Sequence, residues 1–230
     1  MITAQEAKDS AFDGLVLDMD GVIVDTPALH RRVWSEFVDT APWPEVRERR
    51  PGVVGRRSKD VLAELLGNRL DEEEIDAIVS TLHQRFLELA AETDTVFPAM
   101  RTLLRSLAWQ VPLAIGTSAP RHVVQCLLGD LLDCVDVAIT SDECDAGKPD
   151  PEVYLRARGA LGLAGGRVLV IEDTAIGVRA GVAAGCEVWA IAQDSAAAST
   201  CYIAGATVVA RNPSVIASLV RARLLQKVHS

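Results

Sequence analysis

The stretch that decides the fold reads Leu17-Asp18-Met19-Asp20-Gly21-Val22-Ile23-Val24-Asp25-Thr26. It continues a short apolar run that starts at Gly14, and such a run predicts a strand buried on both faces of a parallel sheet. Asp18 and Asp20 leave this strand at its carboxyl end, which is where open α/β sheets bind ligands. Gly21 then allows a tight turn. Taken alone, the two aspartates also fit an ordinary strand end, where Asp is common.

Similar short runs, rich in Val and Ile, recur along the chain between turn or polar residues. Helical patterns stand between most of them, and this alternation predicts an α/β fold with a doubly wound parallel sheet. The further predicted strands are 111–116, 135–140, 168–171, 187–191 and 207–209. The predicted helices of this part are 100–109, 122–132, 151–161, 175–184 and 195–206.

Residues 28–92 break the alternation because they carry helical patterns and no convincing strand. Apolar residues repeat there at helical spacing in three stripes. Ser58 is the predicted N-cap of the second helix, and acidic residues open the third helix, over 71–92. The sequence therefore predicts an α/β core formed by residues 1–26 and 95–230, and an all-helical insert formed by residues 27–94.

The composition excludes several classes of protein. The chain carries 23 Lys+Arg against 32 Asp+Glu, a net charge of −9, and no basic stripe for a nucleic-acid backbone. No apolar run approaches the roughly 20 residues of a membrane-spanning helix. Five cysteines without a CxxC pair favour reduced thiols over a disulfide framework or a zinc site. Residues 1–13 lack the apolar run of a secretory signal, so a cytoplasmic location is expected.

Polar groups also follow three other predicted strands. Thr117 and Ser118 can present donors to an oxyanion, or simply cap a helix. Lys148, between a glycine and a proline, is either a fixed cation or an ordinary exposed lysine. Glu172 and Asp173 end a strongly apolar strand, and adjacent buried acids are costly unless they are neutralised, which favours a divalent metal.

This combination at one sheet edge fits phosphoryl transfer through a covalent aspartyl-phosphate. The attacking carboxylate and the phosphoryl group are both anionic, so a hard cation such as Mg²⁺ and a lysine must screen their repulsion. A second carboxylate can protonate the leaving oxygen and later activate water.

The pattern resembles the haloacid dehalogenase (HAD) superfamily, in its phosphatase branch with a small helical cap. The four motifs of that superfamily occur in order as Asp18-x-Asp20-Gly21-x-x-x-Asp25-Thr26, Thr117, Lys148-Pro149 and Glu172-Asp173. The resemblance covers the whole chain, with the helical insert where the cap of the family stands. It implies a Rossmann-like core and a Mg²⁺-dependent phosphatase that acts on a small phosphorylated metabolite.

The resemblance also implies the roles of individual residues. Asp18 would be the nucleophile and Asp20 the general acid and base, while Thr117 and Lys148 would hold the transferring phosphoryl group. The implied Mg²⁺ ligands are Asp18, the backbone carbonyl of Asp20, Asp173 and, either directly or through another ligand, Glu172.

Substrate-binding residues are expected mainly in the helical insert. The chain is similar to the group with β-phosphoglucomutase, phosphoglycolate phosphatase and sugar-phosphate phosphatases, and His30 stands where the mutase has a His that couples cap closure to catalysis. A surface histidine is the alternative. Arg56, Arg57 and Lys59 form a basic cluster that fits a second anionic group on the substrate, or else a solvated turn. Ser118 is a further candidate phosphate-binding residue.

Two departures favour hydrolysis over mutase activity. Leu82 stands where the mutase cap has a lysine, and Pro120 stands where the mutase has a basic residue after the second motif. A phosphomutase is therefore the alternative, and a non-catalytic protein that binds phosphometabolites is the alternative from another class. The latter is expected to lack a motif residue, and none is missing here. A sugar phosphate is preferred over phosphoglycolate, and the expected assembly is a monomer or weak homodimer.

Overall fold

The sheet of this protein contains six parallel strands. The computed structural model describes residues 12–225, with only the backbone described at positions 68 and 225. Along the chain the strands are β1 (Gly14–Leu17), β2 (Leu113–Gly116), β3 (Val137–Ile139), β4 (Val168–Glu172), β5 (Glu187–Ile191) and β6 (Val208–Ala210). Their order across the sheet is β3-β2-β1-β4-β5-β6. Each strand overlaps a predicted apolar run, and the predicted doubly wound α/β fold is confirmed.

Four α-helices lie between β1 and β2 in the segment predicted as the helical insert. They are α1 (Pro27–Thr40), α2 (Pro44–Arg47), α3 (Ser58–Leu66) and α4 (Glu72–Ala90). The remaining helices are α5 (Pro98–Leu107), α6 (Arg121–Leu128), α7 (Glu152–Ala160), α8 (Ala175–Ala183), α9 (Ser195–Ala204) and α10 (Pro213–Leu225). The domain limits at residues 27 and 94 stay a prediction. Residues 1–11 lie outside the described residues, and they include most of the segment that was predicted to lack a secretory signal.

Two predicted helix ends are wrong for identifiable reasons. Helix α6 stops at Leu128, not at residue 132, because Gly129 has a positive φ of 48° and the chain continues as a 3₁₀ helix. Ser58 is not the N-cap of α3: Arg57 occupies that position, and Ser58 is the first helical residue. The Ser58 hydroxyl lies 3.2 Å from Nε2 of His83 in α4 instead of bonding to its own helix.

Both faces of the sheet are covered, which explains why its strands are apolar without alternation. Leu15 and Leu17 pack into one apolar cluster, with residues of α5 and α10, while Val16 packs into a second cluster on the other face, with residues of α7 and α8. Successive side chains of a strand point to opposite faces, so a strand buried on both sides needs apolar residues at every position. Within residues 12–225, no helix combines the length and apolar character required to cross a membrane.

The strand order reverses beside β1, and this reversal positions the polar strand ends. The chain passes from β1 through β2 to β3 on one side and then returns to β4 on the other side of β1. The backbone N–H of Asp18 donates to the carbonyl of Ile171 across the β1–β4 boundary, at 3.0 Å. Crevices at such a switch point are where open α/β sheets bind their ligands.

The N-terminus of α4 offers a test of local stability. Asp71 accepts a hydrogen bond from the backbone N–H of Glu74, and the Glu74 side chain accepts one from the backbone N–H of Asp71. Replacing the cap, Asp71→Ala, is expected to lower the free energy of unfolding by about 1 kcal/mol in urea denaturation. The control Glu73→Ala, in the same turn, is expected to cost less than half as much, and equal losses would contradict the capping role.

Candidate active site

A buried lysine joins the ends of β1 and β4. Lys148 Nζ lies 2.6 Å from Asp18 Oδ1 and 2.7 Å from Glu172 Oε1, and it also donates to the carbonyl of Gly116 at 3.3 Å. The side chains of Lys148, Asp18 and Glu172 are at most 5% exposed. Lys148 is therefore not the exposed lysine that was the alternative interpretation. Burial opposes its charged form, but the attraction of Asp18 and Glu172 outweighs burial and raises the pKa of Lys148 above its usual value.

Two side chains at the start of α1 contact Asp20. Thr26 Oγ1 donates to Asp20 Oδ1 at 2.5 Å, and His30 Nε2 lies 3.0 Å from the same oxygen. Burial alone would raise the pKa of Asp20, but His30 and the Thr26 hydroxyl together lower it below its usual value. His30 also stacks on Phe86 of α4 with ring centroids 4.3 Å apart. The predicted placement of His30 at the site, rather than on the open surface, fits this geometry.

Thr117 and Ser118 follow β2 on the same sheet edge. Thr117 is buried, and its hydroxyl accepts a hydrogen bond from the backbone N–H of Ala119 at 3.1 Å. Ser118 Oγ donates to the carbonyl of Gly55 in the helical insert at 3.0 Å. Thus Thr117 shapes the turn after β2, while Ser118 contacts the insert across the cavity that both sides line.

Three carboxylates form a cluster with the donor chemistry of a hard metal ion. One oxygen each of Asp18, Glu172 and Asp173 lies within 4.8 Å of the others. Asp173 Oδ1 is buried and has no hydrogen-bond partner among the described residues. Oxygen ligands of this kind suit Mg²⁺ or Ca²⁺. The unpartnered oxygen and the excess of buried carboxylates over the single buried lysine are what a divalent cation would satisfy, so the residues fit the predicted metal.

The pKa values of the cluster reflect the same excess of negative charge. Burial, reinforced by Glu172 and Asp20, raises the pKa of Asp18 to about 8 despite the opposing effect of Lys148. Burial and the neighbouring carboxylates also raise the pKa of Asp173 well above its usual value. Glu172 goes the other way: burial opposes ionisation, but Lys148, Tyr154 and backbone donors lower its pKa. A nearby cation would favour the ionised forms of Asp18 and Asp173.

The three predicted cations of the insert are all paired with carboxylates. Arg56 lines the cavity, and its Nη1 lies 2.7 Å from Glu64 Oε2. Arg57 forms a two-pronged contact with Asp60. Lys59 pairs with Asp76 at 2.6 Å on the exposed surface. Of the three predicted residues, only Arg56 lines the cavity, and each of the three is paired with a different acid.

Arg57 links the insert to the α/β core. Its Nη1 donates to the carbonyls of Cys144 at 3.1 Å and Asp145 at 3.0 Å. A Cβ added at Gly147 would collide with Asp60 and Arg57, so the insert approaches the loop before Lys148 closely. The loop carrying Lys148 is thus in direct contact with the insert.

The cavity between the strand ends and the insert is small. It measures about 30 Å³, and it is lined by Asp18, Asp20, His30, Val53, Gly55, Arg56, Ser58, His83, Phe86, Ser118, Ala119, Pro120 and Val123. That volume holds about one water molecule. A larger groove of about 490 Å³ lies between α1 and α4, and it contains none of the predicted site residues. The position of the chemistry is therefore set by the polar side chains rather than by the size of the cavity.

Three residues of this site were not predicted as site residues from the sequence. Thr26 belongs to the quoted first motif, but only the structure brings its hydroxyl to Asp20. His83 lies beside Ser58, and Tyr154 of α7 donates to Glu172 at 2.5 Å. All three contacts join separate elements or turns, and a single sequence contains no periodicity that would place them.

Known proteins share both the sequence pattern and the fold of this chain. The haloacid dehalogenase-like hydrolase family matches residues 12–185. This chain belongs to that family. It is 30% identical over 181 residues to the phosphorylated carbohydrates phosphatase of Thermotoga maritima, covering 76% of this chain and 82% of that protein. It is 30% identical over 190 residues to hexitol phosphatase A of Escherichia coli, covering 77% and 82%.

The fold of this HAD-like hydrolase also matches a solved structure. β-Phosphoglucomutase from Clostridium difficile superposes with a TM-score of 0.77 at 18% identity, covering 95% of this chain and all of that one. At that identity the likeness concerns the fold. The predicted membership in the HAD superfamily is confirmed.

His83 gives the site a pH dependence that stability measurements can detect. Burial, with His122 and His30 nearby, lowers its pKa from 6.5 to about 4, and only Asp142 opposes the shift. The unfolded chain therefore binds a proton that the folded chain does not, and stability falls as the pH drops from about 6.5 towards 4. His83→Asn is expected to reduce this loss by about 2 kcal/mol between pH 7 and pH 5, measured by urea unfolding. An equal loss in both proteins would contradict the neutral, buried histidine.

Proposed function

We propose that this HAD-family hydrolase is a Mg²⁺-dependent phosphatase, which hydrolyses a small phosphorylated metabolite through an aspartyl-phosphate on Asp18. The observation that carries the proposal is the buried Asp18–Lys148 pair beside the unpartnered oxygen of Asp173. It supports a nucleophilic carboxylate, a fixed cation for the phosphoryl oxygens and a place for a metal within one small cavity. The phosphatases among its relatives support the same reaction.

In the first half of the reaction, a carboxylate oxygen of Asp18 attacks phosphorus, and the bond from phosphorus to the leaving oxygen breaks. Asp20 donates to that oxygen the proton that it takes from water in the second half of the cycle, so the metabolite leaves as an alcohol. Thr26 and His30 both contact Oδ1 of Asp20. They hold the carboxyl group in one orientation and leave Oδ2 for the proton transfer.

In the second half, water attacks the phosphorus of the aspartyl-phosphate. Asp20 takes the proton of that water, and cleavage of the bond to phosphorus restores the Asp18 carboxylate and releases inorganic phosphate. Lys148 stabilises the transferring phosphoryl group in both halves, because it is fixed between Asp18 and Glu172. Thr117 and Ser118 are proposed as further phosphate-binding residues from the turn after β2.

The proposed Mg²⁺ site consists of Asp18, the backbone carbonyl of Asp20, Asp173 and Glu172. Bound there, the ion would neutralise carboxylates and screen the repulsion between the nucleophile and the phosphoryl group. Glu172 holds Lys148 in the same cluster. We therefore propose that Glu172 orients Lys148, whether or not Glu172 also binds the metal ion directly.

Hydrolysis is favoured over mutase activity by the charges of the insert. A mutase must bind the second phosphate of a bisphosphate intermediate, but Arg56, Arg57 and Lys59 are each paired with an acid. Leu82 is buried in the apolar core, and Pro120 lines the cavity where the mutase has a basic residue. None of these three cations is thus free of an acid partner and available for a second phosphate.

The leaving group is proposed to be uncharged and hydroxylated, as in a sugar or sugar-alcohol phosphate. Ser58 and His83 line the cavity 3.2 Å apart, and the lowered pKa of His83 keeps its ring neutral at pH 7. Neutral groups of this kind exchange hydrogen bonds with hydroxyls. The carboxylate of phosphoglycolate would instead require a free cation beside it.

Access to the site is proposed to require movement of the helical insert as a cap. The cavity of about 30 Å³ is too small for a sugar phosphate, and the contacts of Arg57 and Ser118 join the insert to the core. Opening would admit the substrate, and closure would exclude bulk water during transfer.

We further propose a cytoplasmic location and a monomer or weak homodimer. All five cysteines are free, which is typical of a reducing compartment. The net charge of −9 disfavours nucleic-acid binding. The alternative of a non-catalytic binding protein has no support in the site, because every motif residue is present.

Replacement of the nucleophile tests the proposed reaction. Asp18→Asn is expected to lower Mg²⁺-dependent phosphate release by about 10³-fold or more, on the order of other lost nucleophiles. The assay uses p-nitrophenyl phosphate, hexose and pentose phosphates, phosphoglycolate and a nucleotide, each with Mg²⁺ and then with chelator. Asp133→Asn, at an exposed residue before β3, is the matched control and should keep full activity.

Other outcomes of this assay have distinct meanings. Appreciable turnover in Asp18→Asn would contradict the covalent mechanism. Isomerisation of glucose 1-phosphate only on addition of a bisphosphate would favour the mutase. Tight ligand binding without product under any metal condition would favour the binding protein.

Substrate choice is tested at Ser58. Ser58→Ala is expected to raise KM for hexose phosphates about fivefold, the loss of one neutral hydrogen bond, while KM for p-nitrophenyl phosphate stays unchanged. Lys59→Ala removes the neighbouring charge, which pairs with Asp76 away from the cavity, and should change neither value. A KM that rises equally for both substrates would show that Ser58 affects the site as a whole.

A further inference from the structure

Tyr154 is a buried residue whose hydroxyl ends in the active site. Its side chain on α7 is fully buried, and its Oη donates to Glu172 Oε1 at 2.5 Å. The same ring lies under Lys148, with Nζ 4.8 Å from the ring centroid. Tyr154 therefore contacts both members of the buried Lys148–Glu172 pair, once through its hydroxyl and once through its aromatic face.

Glu172 is surrounded by donors on both oxygens. Oε1 accepts from Lys148 and Tyr154, while Oε2 accepts from the backbone N–H groups of Asp173 and Thr174 and from the Thr174 hydroxyl. A Cβ added at Gly177 would collide with this carboxylate, so α8 closes the remaining side. The carboxylate is thus fixed in position, and Oε1 is shared between a cation and a neutral hydroxyl.

Packing alone does not require a tyrosine here. The ring fills the space beside Gly116, where an added Cβ would lie 3.1 Å from it, and phenylalanine would fill that space equally well. A hydroxyl on a fully buried ring is costly unless it is hydrogen-bonded. Among the described residues, the hydroxyl has Glu172 Oε1 as its hydrogen-bond partner, and that oxygen also binds Lys148.

The distances from Lys148 Nζ to its two carboxylate partners are nearly equal. Nζ lies nearly midway between Asp18 Oδ1 at 2.6 Å and Glu172 Oε1 at 2.7 Å. Without the Tyr154 hydroxyl, Oε1 would interact with the ammonium group alone and attract it more strongly. Lys148 would then shift towards Glu172 and away from Asp18, where the phosphoryl group is transferred.

We propose that Tyr154 is a positioning residue of this active site, which acts through Glu172 Oε1 to hold Lys148 within reach of Asp18. The inference rests on the proposed phosphatase function, because Tyr154 would affect the rate only through the proposed role of Lys148 in stabilising the transferring phosphoryl group. It adds a residue of α7, outside the four sequence motifs, to the machinery of the reaction.

The test uses the single-atom change Tyr154→Phe in the full-length protein. With p-nitrophenyl phosphate and Mg²⁺, kcat is expected to fall about tenfold while KM stays within about twofold, because the transition state depends most on the placement of Lys148. Tyr202→Phe removes the hydroxyl of the other tyrosine, which is 54% exposed on α9, and should leave both constants unchanged. An unchanged kcat in Tyr154→Phe would overturn the proposal.

A second background separates positioning from general destabilisation. In Glu172→Gln, the added change Tyr154→Phe is expected to lower kcat by less than about twofold, since its route to Lys148 is already altered. An equally large fall, about tenfold, in both backgrounds would overturn the route through Glu172.

Vanadate binding tests the role of Tyr154 independently of hydrolysis. Calorimetry with vanadate and Mg²⁺ needs no turnover, and Tyr154→Phe is expected to weaken vanadate binding about tenfold while the affinity for inorganic phosphate changes less than about twofold. If the wild type bound vanadate but hydrolysed no substrate, the proposed phosphatase function would be contradicted and the proposed role of Tyr154 would not. A wild type that neither hydrolyses nor binds vanadate would overturn both proposals.

Discussion

The candidate active site depends on one buried cation shared by two carboxylates. Lys148 lies between Asp18 of the β1 end and Glu172 of the β4 end, and all three side chains are almost completely excluded from solvent. Taking these charges out of water is costly, and only close contacts and further hydrogen bonds offset the cost. The parallel sheet brings the two strand ends together, and the loop with Lys148 supplies the opposite charge. Removal of the lysine would leave two buried acids without their cation.

The four acids of the site differ in how many hydrogen-bond donors surround them. Glu172 and Asp20 have nearby donors, and their pKa values are lowered. Asp18 and Asp173 have too few, and their pKa values are raised. Acids of the first kind are held in place by the protein, whereas acids of the second kind need a further cation to ionise fully. The division separates the acids that the protein's own donors keep ionised from those that need a further cation.

The sequence predicts the sheet and its polar edge well because both follow from short-range patterns. Apolar runs without alternation indicate doubly covered strands, and Asp18, Thr117, Lys148 and Glu172 all follow such runs. Contacts between distant segments are a different matter. Tyr154 reaches Glu172, and Arg57 reaches the carbonyls of Cys144 and Asp145, but no local spacing encodes these distances. The charges of Arg56, Arg57 and Lys59 are evident in the sequence, whereas their acid partners depend on how the helices pack.

The position of the insert also has a consequence for how the chain folds. Leu15 of β1 pairs in register with Leu113 of β2 and with Leu169 of β4, so the central strand finds both neighbours only after a large part of the chain has been made. Such non-local pairing slows folding, because the entropy of closing a long loop is lost before the contacts form. The helices between β1 and β2 shorten that loop as they form. A region that lies over the candidate active site in the folded protein thereby also reduces the cost of bringing the central strands together.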